Sequence, residues 1–403
     1  MSLLPVEEAL QRILTGVKPV SSELVALNEA DGRVLAEPVV AKRTQPPFPA
    51  SAMDGYAIRS SDVTEQGTLL TVVGEAAAGR GYHSPLGAGQ AVRIFTGAPV
   101  PEGADCILIQ ENSDRQGDDI IAREITSPGR FVRPAGLDFK IGDRLLDMGR
   151  TLDPRALAVA AAANSPELTV RRRPVVAILA TGDELLEPGE DPGPDQIIAS
   201  NQIGLASEVK NLGATPLPLG IAPDDRAEIA RRITFALDQK ADVIVTLGGA
   251  SVGEHDLVAA SLGDAGMQLD FWRIAMRPGK PLMFGHIGPA RVLGLPGNPV
   301  SSMVCSILFL RPLVKALLGR SDLNTNFESA VLTKPLPKND QRQDYIRATV
   351  ERASIGVLSA TPFEKQDSSM LAVYAGSNAL IVRRPYEDEA KTGDPCSVIL
   401  LNA

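Results

Sequence analysis

The residues best suited to chemistry lie in a glycine-rich turn beyond the middle of the chain. An apolar run, Val243–Leu247, leads into Gly248 and Gly249, and Ser251 and Asp256 follow. Glycines have no side chain to hold a ligand away from the backbone, so the amide groups after the run can point at an anion, and Ser251 can add a hydroxyl. A carboxylate repels a neighbouring anion unless a cation lies between them, so Asp256 indicates a phosphate bound together with Mg²⁺. A plain strand-to-helix turn with Asp256 as helix N-cap is the alternative.

Three cations lie close together further along the chain. Arg273 and Arg277 alternate with apolar residues, which predicts a strand that carries both guanidinium groups on one face. Lys280 follows on the next turn. Three cations in this arrangement can hold an oxyanion, although solvated surface charge is the alternative interpretation.

The turn Gly297-Asn298-Pro299 joins two further apolar runs. Val292–Leu295 predicts a short buried strand and Val300–Leu310 a helix, which places Asn298 at the N-cap and Pro299 at the first helical position. A helix that starts there has free amide groups and a positive dipole end. Ordinary capping would explain this turn alone, whereas the three turns together indicate a crevice for a polyanion.

These turns belong to a predicted α/β domain. Buried-looking runs alternate with helical patterns in the order strand, helix, strand, helix, strand, over residues 175–180, 202–212, 217–219, 225–237 and 243–247. This alternation predicts a parallel sheet with helices on its faces. Since ligands bind at the carboxyl ends of such strands, Glu184 and Asp224 are expected near the glycine-rich turns.

The segments on either side are predicted to be rich in strands. Short β-type runs separated by Gly, Pro and Asp fill both flanks, and helices are predicted at Pro5–Gly16 and, after Asp153 as N-cap, at Pro154–Ala163. The predicted fold class is therefore a multidomain α/β and β protein with a small β-barrel-like C-terminal domain. The predicted domains are an N-terminal linking domain (1–40 and 145–172), a β-rich domain (41–144), an α/β domain (173–323) and a C-terminal β domain (324–403).

Composition excludes several function classes. A net charge of −9 argues against a general nucleic-acid binder, so a local basic site must capture any anionic ligand. The longest apolar run is too short to span a bilayer and no signal pattern is visible, which predicts a cytoplasmic protein without a membrane partner. Three scattered cysteines and three scattered histidines argue against disulfides and zinc and leave Mg²⁺ on carboxylates open.

Seven short segments match the motifs of one protein family, in that family's order. They are Pro46–Ala57, Ile94–Ala98, Thr181–Leu185, Ser200-Asn201, the Gly-Gly turn through Asp256, Arg277–Pro281 and Leu295–Ser301. The chain thereby resembles the molybdopterin molybdenumtransferases, the MoeA-like family that includes the E domain of gephyrin. Related adenylyltransferases share the motifs of the α/β domain, whereas the Ser51–Ala57 block is specific to the larger protein.

The resemblance implies a transferase that takes adenylylated molybdopterin, releases AMP with the help of Mg²⁺, and inserts molybdate at the dithiolene to form the molybdenum cofactor. It also implies an elongated homodimer whose active site joins the α/β domain of one subunit to the β-rich region of the other. Molybdopterin adenylyltransferase and molybdoenzymes are the implied transient partners. A molybdopterin adenylyltransferase and a non-catalytic molybdopterin-binding scaffold are the alternatives.

Site residues follow from the resemblance, position by position. The implied catalytic residues are Asp54, Thr96, Asp138, Glu184, Asp224 and Asp256, of which Glu184, Asp224 and Asp256 would hold Mg²⁺. The implied substrate-binding residues are Gly248, Gly249, Ser251, Arg273, Arg277, Lys280, Gly297, Asn298 and Pro299.

The chain departs from the family pattern at two of these places. Arg277 stands where Lys is common, and a planar guanidinium fork differs in geometry from a point charge. Leu137 stands where an acidic residue is usual, so Asp143 competes with Asp138 for the implied role. Asp54 as a turn cap and Thr96 as part of an ST-turn are the open structural alternatives.

Overall fold

The computed structural model describes residues 3–249, 257–324, 326–352 and 356–401. The chain divides into two compact units, one of Met1–Glu23 with Arg171–Ala403 and the other of Leu24–Val170. The first unit contains the α/β domain and a C-terminal β-barrel, and the second is rich in strands.

A six-stranded sheet forms the centre of the first unit. Its strand order is Thr215–Ala222, Val175–Thr181, Val243–Leu247, Ala290–Leu295, Met283–Ile287 and Gln268–Trp272. The first four strands are parallel and the last two pair antiparallel with their neighbours. Every residue of Val243–Leu247 is buried, as expected for a parallel strand covered on both faces. The predicted parallel α/β domain is confirmed.

Helices cover this sheet. They are Asn201–Asn211, Arg226–Asp238, Leu257–Asp264 and the long helix that begins at Pro299, against which the helix Val6–Leu14 packs. Ile229 and Ile233 of one helix pack with Ile244 of the central strand and are fully buried. Asp225 caps Arg226–Asp238, because its carboxylate accepts a 2.8 Å hydrogen bond from the Glu228 amide.

The long helix runs from Pro299 to Leu317 and is longer than the predicted Val300–Leu310. It is α-helical over Pro299–Cys305, has a π turn over Ser306–Leu310 and is α-helical again over Arg311–Leu317. By length and composition it could cross a membrane, but 78% of its apolar window is buried inside the protein. Packing in the protein core therefore explains why this helix is apolar.

The C-terminal part closes into a barrel. Its five strands, in spatial order, are Gln343–Arg352, Leu358–Pro362, Glu328–Leu332, Pro395–Leu400 and Ala379–Arg383, and the last pairs with the first. Closure leaves no sheet edge among these strands. Met276–Arg277 adds a short parallel strand beside Gln343 and Asp344, and a short helix, Leu371–Ala375, precedes the fifth strand. The predicted β-barrel-like domain is confirmed.

The second unit is built around another six-stranded sheet. Its order is Cys106–Ile109, Gly55–Ile58, Gln90–Ile94, Leu69–Ala76, Asp119–Ala122 and Ser113–Gln116. Shorter strand pairs are Ala50–Ser51 with Val132–Arg133, Val39–Val40 with Arg144–Leu146, and Ser22–Ala26 with Glu167–Arg171. Short 3₁₀ turns lie at Leu27–Glu29, Ser60–Asp62 and Gln110–Asn112. The helix Pro154–Ala162 begins after Asp153, whose carboxylate accepts from the Ala156 amide, as predicted.

Candidate functional site

A cavity of about 790 Å³ lies at the carboxyl ends of the parallel strands in the first unit. Three strand ends supply its wall, through Thr181-Gly182, Gly248-Gly249 and Pro296–Pro299. Parallel strands bring their ends to one edge of the sheet, which is why turns that are distant in sequence meet here. Glu184, Asp224, Gly248, Gly249, Gly297, Asn298 and Pro299 all line the cavity. The structure thus brings together seven of the residues implied by the sequence.

Two glycines permit the close approach of these turns. Gly248 has φ 98°, and a Cβ there would lie 2.8 Å from the main-chain oxygen of Thr181. Gly182 has φ 146°, and a Cβ there would collide with the carboxylate of Glu184, which folds back over it. Glycine is therefore required at 182 for Glu184 to lie against the turn, and at 248 for the close approach of that turn to Thr181.

The carboxylates of Glu184 and Asp224 line the cavity, and Asp183 is bonded to the Asp224 main chain. The amide of Asp224 donates a 3.0 Å hydrogen bond to Oδ1 of Asp183. Loss of solvent around the carboxylate raises the pKa of Asp224, the charges of Asp183 and Glu184 raise it further, and no cation among the described residues offsets these effects. A carboxylate cluster of this kind is suited to a divalent cation, because the cation removes the mutual repulsion.

The carboxylate cluster is compatible with Mg²⁺, although the described residues do not complete a binding site. They contain no group of three His, Cys, Asp or Glu side chains arranged to hold a metal ion. Asp256, the third implied ligand, and Ser251 lie outside the residues that the structure describes. Glu184 and Asp224 are the two implied ligands that line the cavity.

The start of the long helix forms another part of the wall. Asn298 is its N-cap and Pro299 its first residue, as predicted. The side chain of Asn298 makes no capping bond and instead donates a 2.9 Å hydrogen bond to Oγ of Ser368. The Val300 amide donates to the main-chain oxygen of Ser368 at 3.1 Å, so one of the amides predicted to be free is occupied.

Several wall residues lack a sequence signal that would have identified them. Ser369 lines the cavity from the loop before the helix Leu371–Ala375, and Ile197 and Ile198 line it from a two-residue strand beside Leu185–Leu186. Isolated serines and short apolar pairs are common in loops, so neither attracts attention without the fold. Asn201, which lies in a matched segment, donates a 2.6 Å hydrogen bond to the main-chain oxygen of Gly297 and braces that turn.

The three cations are arranged differently from the prediction. Arg273 has φ 84° and lies between the strands Gln268–Trp272 and Met276–Arg277, so the predicted alternation along one strand is wrong. The Arg273 amide donates a 3.1 Å hydrogen bond to the main-chain oxygen of Leu282, and this bond stabilises the left-handed turn. Arg273, Arg277 and Lys280 are not among the described residues that line the cavity, whereas Pro281 is.

Arg277 is engaged in ion pairs. Its guanidinium group pairs with Asp340 at 3.4 Å and, more closely, with Asp344. The Asp344 side chain is only 8% exposed. Burial raises the pKa of Asp344, and the hydrogen bond and charge of Arg277 partly oppose that rise. Arg277 therefore compensates a buried charge of the barrel.

Asp54 and Thr96 meet in the second unit, although they are 42 residues apart. Oδ1 of Asp54 accepts hydrogen bonds from the amide (2.7 Å) and the hydroxyl (2.8 Å) of Thr96. The backbone bond and then the side-chain bond hold the pKa of Asp54 below its ordinary value. The pair forms a defined carboxylate–hydroxyl arrangement between strands.

The structure distinguishes the two carboxylates near Leu137. Asp143 accepts a 2.8 Å hydrogen bond from the Lys140 amide and so closes its own turn. Asp138 is exposed, and within the described ranges its carboxylate makes no hydrogen bond or ion pair. Asp138 is therefore the more available of the two for a ligand.

Comparison with known proteins covers nearly the whole chain. The MoeA N-terminal region (domains I and II) matches residues 4–164, a probable molybdopterin binding domain matches residues 177–316, and the MoeA C-terminal region (domain IV) matches residues 329–401. The molybdopterin molybdenumtransferase of Haemophilus influenzae is 34% identical over 400 residues, with 98% of each chain covered. That of Bacillus subtilis is 33% identical over 387 residues, with 94% of this chain and 90% of the relative covered. The crystal structure of the molybdopterin biosynthesis moeA protein from Pyrococcus horikoshii has a TM-score of 0.85 at 29% identity and covers 99% of this chain.

Proposed function

This chain belongs to the MoeA family of molybdopterin molybdenumtransferases, transferases of molybdenum cofactor biosynthesis, and we propose that it inserts molybdate into adenylylated molybdopterin with Mg²⁺-dependent release of AMP. One observation carries the reaction-level proposal. Glycine-rich strand ends and two carboxylates, those of Glu184 and Asp224, line one cavity in the α/β domain. Backbone turns open to a phosphate and carboxylates suited to its cation therefore line the same cavity.

The size and lining of the cavity fit the proposed substrate. A volume of about 790 Å³ is within the range of small-molecule sites. One wall consists of the turns at Gly248 and Gly297, where side chains do not block the backbone. The lining also includes Leu185, Ile197 and Ile198, whose apolar surfaces suit the flat ring of a pterin or adenine.

The cleavage of a phosphoric anhydride requires that charge be neutralised on the leaving oxygens. Mg²⁺, when bound, would supply this neutralisation, and Glu184 and Asp224 are the described residues that would hold it. In the turn at Gly248-Gly249, the Gly249 amide would help to orient a phosphate group, whereas the Gly248 amide already donates a 3.2 Å hydrogen bond to the main-chain oxygen of Leu295. Arg273, Arg277 and Lys280 are proposed contacts for the molybdate oxyanion, of which Arg277 would first have to leave its ion pairs with Asp340 and Asp344.

We also propose that the protein is a cytoplasmic homodimer whose active site is shared between subunits. Asp54 and Thr96 belong to one compact unit of the chain, whereas the cavity belongs to the other. The family resemblance supports the assignment of the two parts to opposite subunits. Molybdopterin adenylyltransferase as donor of the substrate, and molybdoenzymes as recipients of the product, are the proposed transient partners.

One assay tests the proposed reaction. Purified protein is incubated with adenylylated molybdopterin and Mg²⁺, and AMP release is followed by chromatography while molybdate or tungstate is titrated. We expect AMP release that requires Mg²⁺ and rises with the preferred oxyanion. Glu184→Gln should abolish AMP release without a loss of thermal stability, whereas Asp238→Asn, at the far end of the helix Arg226–Asp238, should not abolish it. Wild-type protein that consumes ATP and releases no AMP from the adenylylated pterin would contradict the proposal.

A further inference from the structure

Arg93, a residue outside the family motifs described above, is held between two aromatic rings in the second unit. It lies on the strand Gln90–Ile94, directly opposite Tyr56 of the neighbouring strand. Its guanidinium carbon is 5.1 Å from the centroid of the Tyr56 ring and 4.9 Å from that of Phe95. Both distances are within the range of favourable cation–π contact.

The edges of the same guanidinium group hold the main chain next to Asp54. Nη1 of Arg93 donates a 3.3 Å hydrogen bond to the carbonyl oxygen of Gly55, and Nη2 donates a 2.8 Å hydrogen bond to Oε1 of Gln110. The amide of Gln110 in turn donates to the carbonyl oxygen of Asp54 at 3.1 Å. Arg93 thus holds the Gly55 carbonyl by a direct hydrogen bond, and it holds the Asp54 carbonyl indirectly, through Gln110.

The other end of this arrangement holds the Asp54 side chain. Thr96, which donates two hydrogen bonds to Oδ1 of Asp54, directly follows Phe95 in the chain. The charge of Arg93 also contributes to the lowered pKa of Asp54, after the two bonds from Thr96. Within the part of the chain that the structure describes, Arg93 is the charged group whose field acts on this carboxylate.

We propose that Arg93 is a positioning residue for Asp54: by stacking between Tyr56 and Phe95 and bonding to Gly55 and Gln110, it holds the Asp54 carboxylate against Thr96. Its consequence for catalysis rests on the proposed function. A lysine retains the charge, but it lacks the flat faces and the fork that stack and donate at the same time. The geometry therefore requires arginine at this position and not merely a cation.

Kinetics of the full-length protein provide the first test. In Arg93→Lys and Arg93→Gln, kcat for AMP release should fall on the order of tenfold, because a misplaced group loses rate more than binding. KM should change by less than about twofold. Arg93→Lys keeps the charge and loses the stacked fork, so a fall in kcat in Arg93→Lys as well as in Arg93→Gln would show that the geometry matters and not the charge alone.

Arg115→Gln is the matched control, since Arg115 is exposed on the same sheet and donates to Gly117 within its own turn. It should leave kcat unchanged. Phe95→Leu removes one ring and keeps the charge, so it should lower kcat, and it provides the test if Arg93→Gln fails to fold. An unchanged kcat in Arg93→Lys and Phe95→Leu, or losses that follow thermal stability alone, would overturn the proposal.

A second readout needs no turnover. The ¹³C carboxyl resonance of Asp54, assigned by its loss in Asp54→Asn, is titrated in wild-type protein, Arg93→Gln and Arg115→Gln. We expect a higher midpoint in Arg93→Gln alone. An equal midpoint in all three would refute the inference even if the enzyme proves active, and a raised midpoint would support it even if the proposed AMP release is never observed.

Discussion

The ion pair between Arg277 and Asp344 leads to the sharpest prediction about an implied site residue. Asp344 lies in the barrel with its side chain 8% exposed, and its Oδ1 has no hydrogen-bond partner within the described residues. Arg277 on the neighbouring short strand donates to Oδ2. Arg277→Gln should therefore leave a buried carboxylate without its main cation, and we expect the protein to become less stable.

The size of the stability loss follows from how deeply each partner of the ion pair is buried. Removal of one partner of a fully buried pair costs about 3–5 kcal/mol, whereas an exposed pair contributes about 0–1 kcal/mol. Asp344 is nearly inaccessible and Arg277 is 49% exposed, so solvent replaces part of the lost interaction. We expect a loss of about 2 kcal/mol in the free energy of unfolding at neutral pH. Lys338→Gln is the matched control, because Lys338 and its partner Asp388 are 66% and 86% exposed, and it should lose about 0.5 kcal/mol at most.

Urea unfolding of the full-length variants, followed by circular dichroism, measures this loss. The pH dependence gives a further check, because burial raises the pKa of Asp344 in the folded state. Its ionisation therefore destabilises the protein as pH rises through that pKa, and the deficit of Arg277→Gln should be smaller at about pH 4 than at pH 7. The reasoning fails if Arg277→Gln unfolds like wild type and only raises the molybdate concentration needed for cofactor formation, since Arg277 would then serve the oxyanion and not Asp344.

Three further predictions concern the carboxylates of the site and the helix beside it. Asp224→Asn should abolish Mg²⁺-dependent AMP release yet raise the melting temperature of the metal-free protein at neutral pH, because it removes a charge repelled by Asp183 and Glu184. Since the pKa of Asp224 is raised in the folded state, this gain in melting temperature should shrink as pH falls toward 4. A lower melting temperature of the variant at pH 7 would contradict the repulsion. Mixed dimers of Asp54→Ala and Asp256→Ala, verified by mass spectrometry of differently tagged chains, should recover partial AMP release if the site is shared; no recovery would place each site within one chain. Asp225→Ala should cost about 1 kcal/mol in urea unfolding, because the Glu228 amide loses its cap, and an unchanged unfolding midpoint would show that the cap is dispensable.

The sequence alone was sufficient wherever structure depends on neighbouring residues. The strand Val243–Leu247 was predicted to the residue, and Asp153 and Asn298 were correctly predicted as N-caps. Apolar periodicity, glycine conformation and capping act over a few residues and are therefore visible in a linear chain. The rule that parallel strands present their carboxyl ends together then placed Glu184 and Asp224 beside the glycine-rich turns without coordinates.

Contacts between distant residues were decided by the tertiary structure. Asp54 meets Thr96 across 42 residues, Arg277 meets Asp344 across 67, and Asn298 meets Ser368 across 70. Each contact depends on strand order, barrel closure or the course of a loop, none of which local sequence patterns specify. The predicted alternation at Arg273 was wrong for the same reason. The left-handed turn at Arg273 connects the sheet to the short strand that pairs with the barrel. Sequence therefore determined which residues are available for chemistry, and the fold determined which of them are held by distant partners, because residues such as Asp54, Arg277 and Asn298 meet their partners only when another element brings those partners within reach.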